Sequence, residues 1–312
     1  MKAIHEKLAL KIVVIVTYSA GEITNATDEA QIWIENEKLN KKIEILGAYL
    51  PLYYNKEGVG LFITGMGTAN AAASVMALGL SEVLDLSETF FLIAGVGGIS
   101  PKRGTVGTAV WVNYVVSDNC REVDSDKTSS NQGFYKFQLE WRTSTEVYEM
   151  DSKFLKWCYK LTKNYPLKES GKFNSYIGKY ESNFAARASA KVVIGDNLSC
   201  DSYWHGSKLC CWAETWVKKW TDNKGKYFIS DMEDTGIITS LKRLSVVNKL
   251  SFERIAILRT ASNFVYPPKG ISPIESVCLK EGYSIAVSNV YNLGHVVVNK
   301  ILSDWEKIRK EI

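Results

Sequence analysis

Nowhere does this chain stay apolar for long. Its longest candidates, Ile12 to Val16 and Val106 to Val116, are strand-sized, whereas a membrane span needs roughly 18 to 20 residues. A transporter acting alone is therefore physically implausible. Histidine is scarce at three residues, and the six cysteines (Cys120, Cys158, Cys200, Cys210, Cys211 and Cys278) form no CxxC. No metal site is expected from so few ligands. Cys210 and Cys211 are adjacent and pair with each other only under strain, so reduced thiols in a cytoplasmic protein are the expectation. The apolar stretch at Ile12 is too short for a signal peptide; had a leader been removed beforehand, a secreted or periplasmic location would follow. Blocks of Lys and Arg are missing too. The 38 basic and 34 acidic residues leave a net charge of +4, too slight to argue for nucleic acid. Internal repeats and low-complexity tracts are absent.

What remains is ordinary globular composition, with 46% hydrophobic and 23% charged residues among 312. That length builds one large α/β domain or two small ones. Lys11 to Thr17 reads as a buried strand, a continuous apolar run. Val59 to Ile63 is a second, opening into Gly65-Met66-Gly67 and an Ala-rich helix that ends near Leu80. Thr89 to Ala94 is a third, ending in Gly95-Val96-Gly97-Gly98, and Gly107 to Val116 a fourth. Ala190 to Ile194, Tyr227 to Ser230 and Arg254 to Leu258 read as further strands, each followed by a polar or glycine loop. A long helix is expected from Ser284 to Arg309. This alternation predicts an α/β fold in a single domain spanning 1–312. Residues 125–190 are the least regular and are expected to form an insertion or lid.

The chemistry is expected to centre on Lys226 to Thr235, where a strand-like run ends in Asp231-Met232-Glu233-Asp234 and passes straight into a helix. Acids so placed sit at the carboxyl edge of a sheet, where open α/β folds bind ligands. A carboxylate there accepts two hydroxyl hydrogen bonds from a sugar diol, though first-turn acids also serve simply to favour a helix N-terminus. Gly65 and Gly67 present backbone N–H groups to an anion or make a tight turn. Gly95, Val96 and Gly97 allow close approach to a ligand or to a packed neighbour. Glu22, beyond the first strand, is a candidate general base or an exposed loop acid. Asn263 both donates and accepts, which suits a base edge; a turn before Pro267-Pro268 would equally explain it. His205, in Ser202-Tyr203-Trp204-His205-Gly206, is more often structural than catalytic in such a loop.

Taken in order, these segments resemble the purine nucleoside permease family. The resemblance rests on residues 65–74, 91–98, Gly195-Asp196, 202–206, 231–234 and 258–263, and covers about Lys11 to Trp305. That family is similar to the nucleoside phosphorylase/hydrolase superfamily, which implies a three-layer α/β/α fold with a mixed, partly barrel-like sheet. It also implies that Glu233 holds the ribose 2′ and 3′ hydroxyls, that Met232 lies under the sugar, and that Asn263 contacts the purine N7 edge. Glu22 falls near the water-activating Glu of the related nucleosidases. Tyr203, Trp204 or Phe264 would stack on the base, with Ser202 and His205 nearby.

Two departures qualify the resemblance. The arginines that clamp phosphate in phosphorylases are missing: Tyr18 to Thr24 hold none, and Ile93 and Val96 stand where an Arg and a hydroxyl are found. Asn263 replaces the nucleosidases' Asp and is no general acid, so another acid such as Asp201 or Asp231 would have to help. The expected activity is cleavage of a purine nucleoside N-glycosidic bond, with hydrolysis favoured. Phosphorolysis, with phosphate as co-substrate and Lys102 or Arg103 as replacement cation, is the alternative, and binding or uptake without catalysis is another. No cofactor, nucleic acid or membrane span is expected. A homodimer is, because relatives of this fold often complete the site from a neighbouring subunit.

Overall fold

The computed structural model describes residues 7–19, 28–119, 121–123, 135–137, 143–150, 152–169, 174–182, 184–272 and 280–312. Seven principal strands carry the architecture: β1 (Ile12–Val16), β2 (Val59–Ile63), β3 (Phe90–Ile99), β4 (Ala109–Ser117), β5 (Val192–Ser199), β6 (Tyr227–Asp231) and β7 (Ile255–Phe264). The helices that pack on them are α1 (Gln31–Asn36), α2 (Thr68–Leu80), α3 (Lys153–Thr162), α4 (Ser207–Trp220), α5 (Asp234–Val246) and α6 (Lys280–Ser303).

Strand β1 lies between β2 and β3, parallel to both. Its five residues are buried to 1% exposure or less because each face is covered. Alternate side chains point opposite ways along a strand. Val13 and Ile15 therefore enter the core beneath α2 and α5, with Val75, Leu78, Ile237 and Leu241. Ile12, Val14 and Val16 join Trp33 of α1 and Val290, Leu293, Val297 and Ile301 of α6 on the far side. Helix, sheet and helix make three layers.

The sheet then curls. β3 pairs in parallel with β7, β7 antiparallel with β4, β4 parallel with β5, β5 parallel with β6, and β6 antiparallel with β3. These five strands close a circuit, the partly barrel-like sheet that the sequence implied.

The closure changes the expected boundaries. Gly95 to Gly98 do not end the third strand in a loop; they lie inside β3. A side chain at Gly97 would collide with the carbonyl of Ser230 on β6, so these residues let β6 approach while the strand continues. Likewise β7 runs on through Arg259 to Phe264, and β5 passes Gly195 and Asp196 with a register shift. The long C-terminal helix starts at Lys280, ends at Ser303, and is followed by a separate helix, Trp305–Glu311. Within 125–190, Tyr135–Phe137 pairs with Arg121–Val123 in a separate two-stranded sheet, whereas two other segments join the body of the fold. Val147–Glu149 pairs with β4, and Phe154 and Cys158 of α3 are fully buried in the core. Glu22 lies outside the described residues.

Candidate functional site

A cavity of about 330 Å³ opens at the carboxyl ends of β1, β3, β6 and β7, within the range of small-molecule sites. Glu233, Met232 and Asn263 line it together, with Asp231, Val96, Gly97 and Tyr203 of the expected set. Glu29, Arg259 and Tyr283, which have no expected role in the site, are among the other residues that line it.

Glu233 is 5% exposed and stands where α5 begins. Its Oε1 accepts the backbone N–H of Gly67, at the start of α2, at 3.1 Å. Thr68 Oγ1 donates to the Met232 carbonyl at 3.2 Å, so the two helix N-termini are tied at the acid. The Thr68 N–H goes to Asp201 Oδ1 at 2.7 Å.

Behind Glu233 lies a buried ion cluster. Arg259, 1% exposed, places Nη2 2.7 Å from Asp231, 2.5 Å from Asp234 and 3.8 Å from Glu233. One guanidinium cannot neutralise three buried carboxylates. Burial, then the Asp231 charge, pushes Glu233 up to about 8 against the pull of Arg259. Burial likewise raises Asp234, to about 7. Arg259 itself is held well above its usual value by its acidic neighbours, which outweigh the opposing cost of its burial.

Asp231 is held by a set of hydrogen bonds. Its oxygens accept from Arg259, from Asn197 Nδ2 at 2.8 Å, and from the backbone N–H groups of Glu233 and Asp234 at 2.9 and 2.8 Å. A carboxylate gripped by four donors caps the helix and orients Arg259. It lines the cavity beside Glu233.

Glu29, 2% exposed, lines the cavity beside Gly95. Oε1 accepts the Val96 N–H at 2.9 Å, and Oε2 accepts from the Thr17 N–H, the Thr17 hydroxyl and the Tyr18 N–H at 3.3, 3.2 and 3.3 Å. Four hydrogen-bond donors thus hold its two oxygens. Seven positions after Glu22, it lines the cavity with Asp231 and Glu233.

Asn263 sits at a register shift in β7. Such an irregularity re-aims a side chain. Gly98 pairs with Asn263 on one side and Ser230 on the other, and a carbon added there would lie 3.1 Å from Asn263 Nδ2. Asn263 Oδ1 accepts from Ser262 Oγ at 2.9 Å, and Nδ2 donates to the Phe264 carbonyl at 3.2 Å. One amide hydrogen remains for a ligand.

The other expected residues fall elsewhere. Phe264 is 1% exposed and packs against Tyr180, ring centres 4.9 Å apart, so it cannot stack on a ligand in the cavity. Its neighbour Asn263 lines the cavity, and consecutive strand residues face opposite ways. His205 turns away too: Nδ1 lies 3.1 Å from the Val265 carbonyl. Burial lowers its pKa, opposed by backbone hydrogen bonds. Ser202 lines a small side recess of about 40 Å³ beside Tyr203 and Trp204. Gly65 lies under the Tyr49 ring, and Gly95 beneath the Arg259 guanidinium and Glu29. Neither lines the cavity wall.

The architecture recurs in solved nucleosidases. The 5′-methylthioadenosine/S-adenosylhomocysteine nucleosidase from Neisseria meningitidis superposes with a TM-score of 0.58 at 15% identity, covering 93% of this chain and 100% of that one. Futalosine hydrolase of Helicobacter pylori gives 0.55 at 13% identity, covering 93% and 98%. At such identities the likeness establishes the fold alone.

Sequence relatives carry a different name. A probable purine nucleoside permease of Schizosaccharomyces pombe is 28% identical over 264 residues, 78% of this chain and 75% of that protein. A purine nucleoside permease of Candida albicans is 27% identical over 267 residues, and the match spans only 64% of its length. Among the described residues no helix is long and apolar enough to cross a membrane. The family model for purine nucleoside permease matches residues 9–312, and the chain belongs to that family.

Proposed function

We propose that the cavity binds a purine nucleoside and cleaves its N-glycosidic bond with water. The observation that carries this reading is the balance of charge on the cavity wall. Three carboxylates, Glu29, Asp231 and Glu233, face one guanidinium that is already paired. Such a wall suits a ligand that offers hydroxyl donors and a transition state in which the sugar becomes cationic. It gives a phosphate dianion little to grip, because bidentate, charge-assisted bonds need an unpaired cation. Neither Lys102 nor Arg103 lines the cavity.

In this mechanism Glu233 accepts the ribose 2′ and 3′ hydroxyls, and Met232 lies beneath the sugar. Asn263 donates to the departing base and stabilises charge on it. Glu29 takes a proton from water as the water oxygen bonds to C1′. The C1′–N bond breaks, and its electron pair leaves with the base. The base takes a proton from solvent, and Glu29 returns its own there. Asp231 and Arg259 hold Glu233 in place, while Tyr203 covers the base.

The test is incubation with adenosine, inosine and guanosine, with and without phosphate. Free base and ribose at a rate indifferent to phosphate are expected. Ribose 1-phosphate appearing only with phosphate would make the protein a phosphorylase. The permease name of the sequence relatives favours a second reading, a protein that binds nucleosides for uptake without cleaving them; tight binding with no free base would establish it.

A further inference from the structure

Tyr283 has no part in the mechanism above, yet its hydroxyl is buried and its proton meets no acceptor among the described residues. The residue lines the cavity in the first turn of α6. That turn presses onto β7, because a side chain at Gly282 would collide with the Ser262 carbonyl. Tyr18, from the end of β1, meets the Tyr283 ring edge-on at 6.5 Å and 80°. Burial, followed by the charges of Glu29 and Asp28, holds the phenol far above its ordinary pKa, so it stays a donor. A buried donor left without an acceptor is destabilising unless something in the cavity receives it.

The neighbouring acceptor is Glu29, whose two oxygens are fixed by four donors from Thr17, Tyr18 and Val96. A fixed acceptor beside a fixed donor is complementary to an oxygen that both donates and accepts, as water does. We infer that Tyr283 is a positioning residue for the attacking water, donating to its oxygen while that water donates to Glu29. Two anchors leave one lone pair aimed at C1′. Glu29 alone would let the molecule swing about a single bond. The inference rests on the hydrolytic reading.

The experiment compares the parent with Tyr283→Phe, which keeps the ring and removes only the oxygen. Turnover is measured on inosine in water and in dilute methanol, and the melting temperature is recorded for both proteins. We expect kcat to fall roughly 10- to 100-fold, as misplacement of a reacting group does, with KM within about twofold. The share of methyl riboside among the products should rise, because the water is no longer selected by two anchors. A rise in KM at unchanged kcat would place the phenol on the ligand and overturn the inference, as would unchanged kinetics. So would a loss of kcat with an unchanged methanol share. A parent that releases no base, or only ribose 1-phosphate, overturns the hydrolytic reading itself, a result visible before any variant is made.

Discussion

Gly67 donates its backbone N–H to Glu233 Oε1 at 3.1 Å, from 166 positions away in sequence. The bond fixes one carboxylate oxygen before a ligand arrives, and Gly67 reaches it at φ +86°, a conformation that side-chain-bearing residues rarely adopt. Glu233→Ala removes the acceptor for both ribose hydroxyls. Each charge-assisted bond is worth about 1.5–3 kcal/mol, so kcat/KM on a ribonucleoside should fall at least 100-fold. A 2′,3′-dideoxynucleoside, lacking the diol, should lose far less, and steady-state kinetics on the two substrates check this.

Glu29 and Glu22 make opposing predictions. If Glu29 takes the proton from water, Glu29→Gln lowers kcat by about 10²–10⁴-fold while nucleoside affinity, read by calorimetry, changes little. Turnover surviving in Glu29→Gln but lost in Glu22→Gln would transfer the role to the loop after β1.

The raised pKa of Glu233 gives a pH signature. A carboxyl at about 8 in the folded chain, against an ordinary 4.5, binds its proton more tightly folded than unfolded. Its contribution to stability is complete below about 4.5 and is lost as pH rises through about 8. Urea midpoints should decline across that window, and Glu233→Gln should flatten the decline. Nucleoside binding should run the other way, tightening toward pH 8 as the carboxylate becomes able to accept two hydroxyls.

Arg259 is expected to matter for folding as much as for binding. Replacing it by Met strands Asp231, Asp234 and Glu233 together, and breaking a buried ion pair from one side costs about 3–5 kcal/mol. Denaturant unfolding should show a much lower midpoint, and lowering the pH toward 5 should restore part of it by protonating the acids.

The sequence carried the layers because β1, β2 and α5 are patterned by burial alone. It carried Glu233 and Asn263 because both stand in compact motifs at strand ends. Glu29 was harder to see. Asp28 beside it accepts the Gln31 N–H at 2.5 Å as an ordinary helix cap, so a neighbouring acid reads as surface; only the full burial of Trp33 draws that turn inward. Arg259 left a sharper trace, since a cation inside the apolar run from Ile255 to Ala261 requires buried acids, and Asp231 and Asp234 were already in view. Phe264 was misjudged by ignoring the two-residue alternation that faces it away from Asn263. The glycines of β3 could not be placed in a strand without knowing that β6 and β7 flank them.

Because β3, β7, β4, β5 and β6 bond in an unbroken ring, no strand at the floor of the cleft has an open edge from which to peel. Amide exchange at Leu258, in the middle of β7, should therefore proceed only through global unfolding. Any adjustment to a visiting molecule is left to the segments above the floor, namely the turn at Tyr203 and the start of α6.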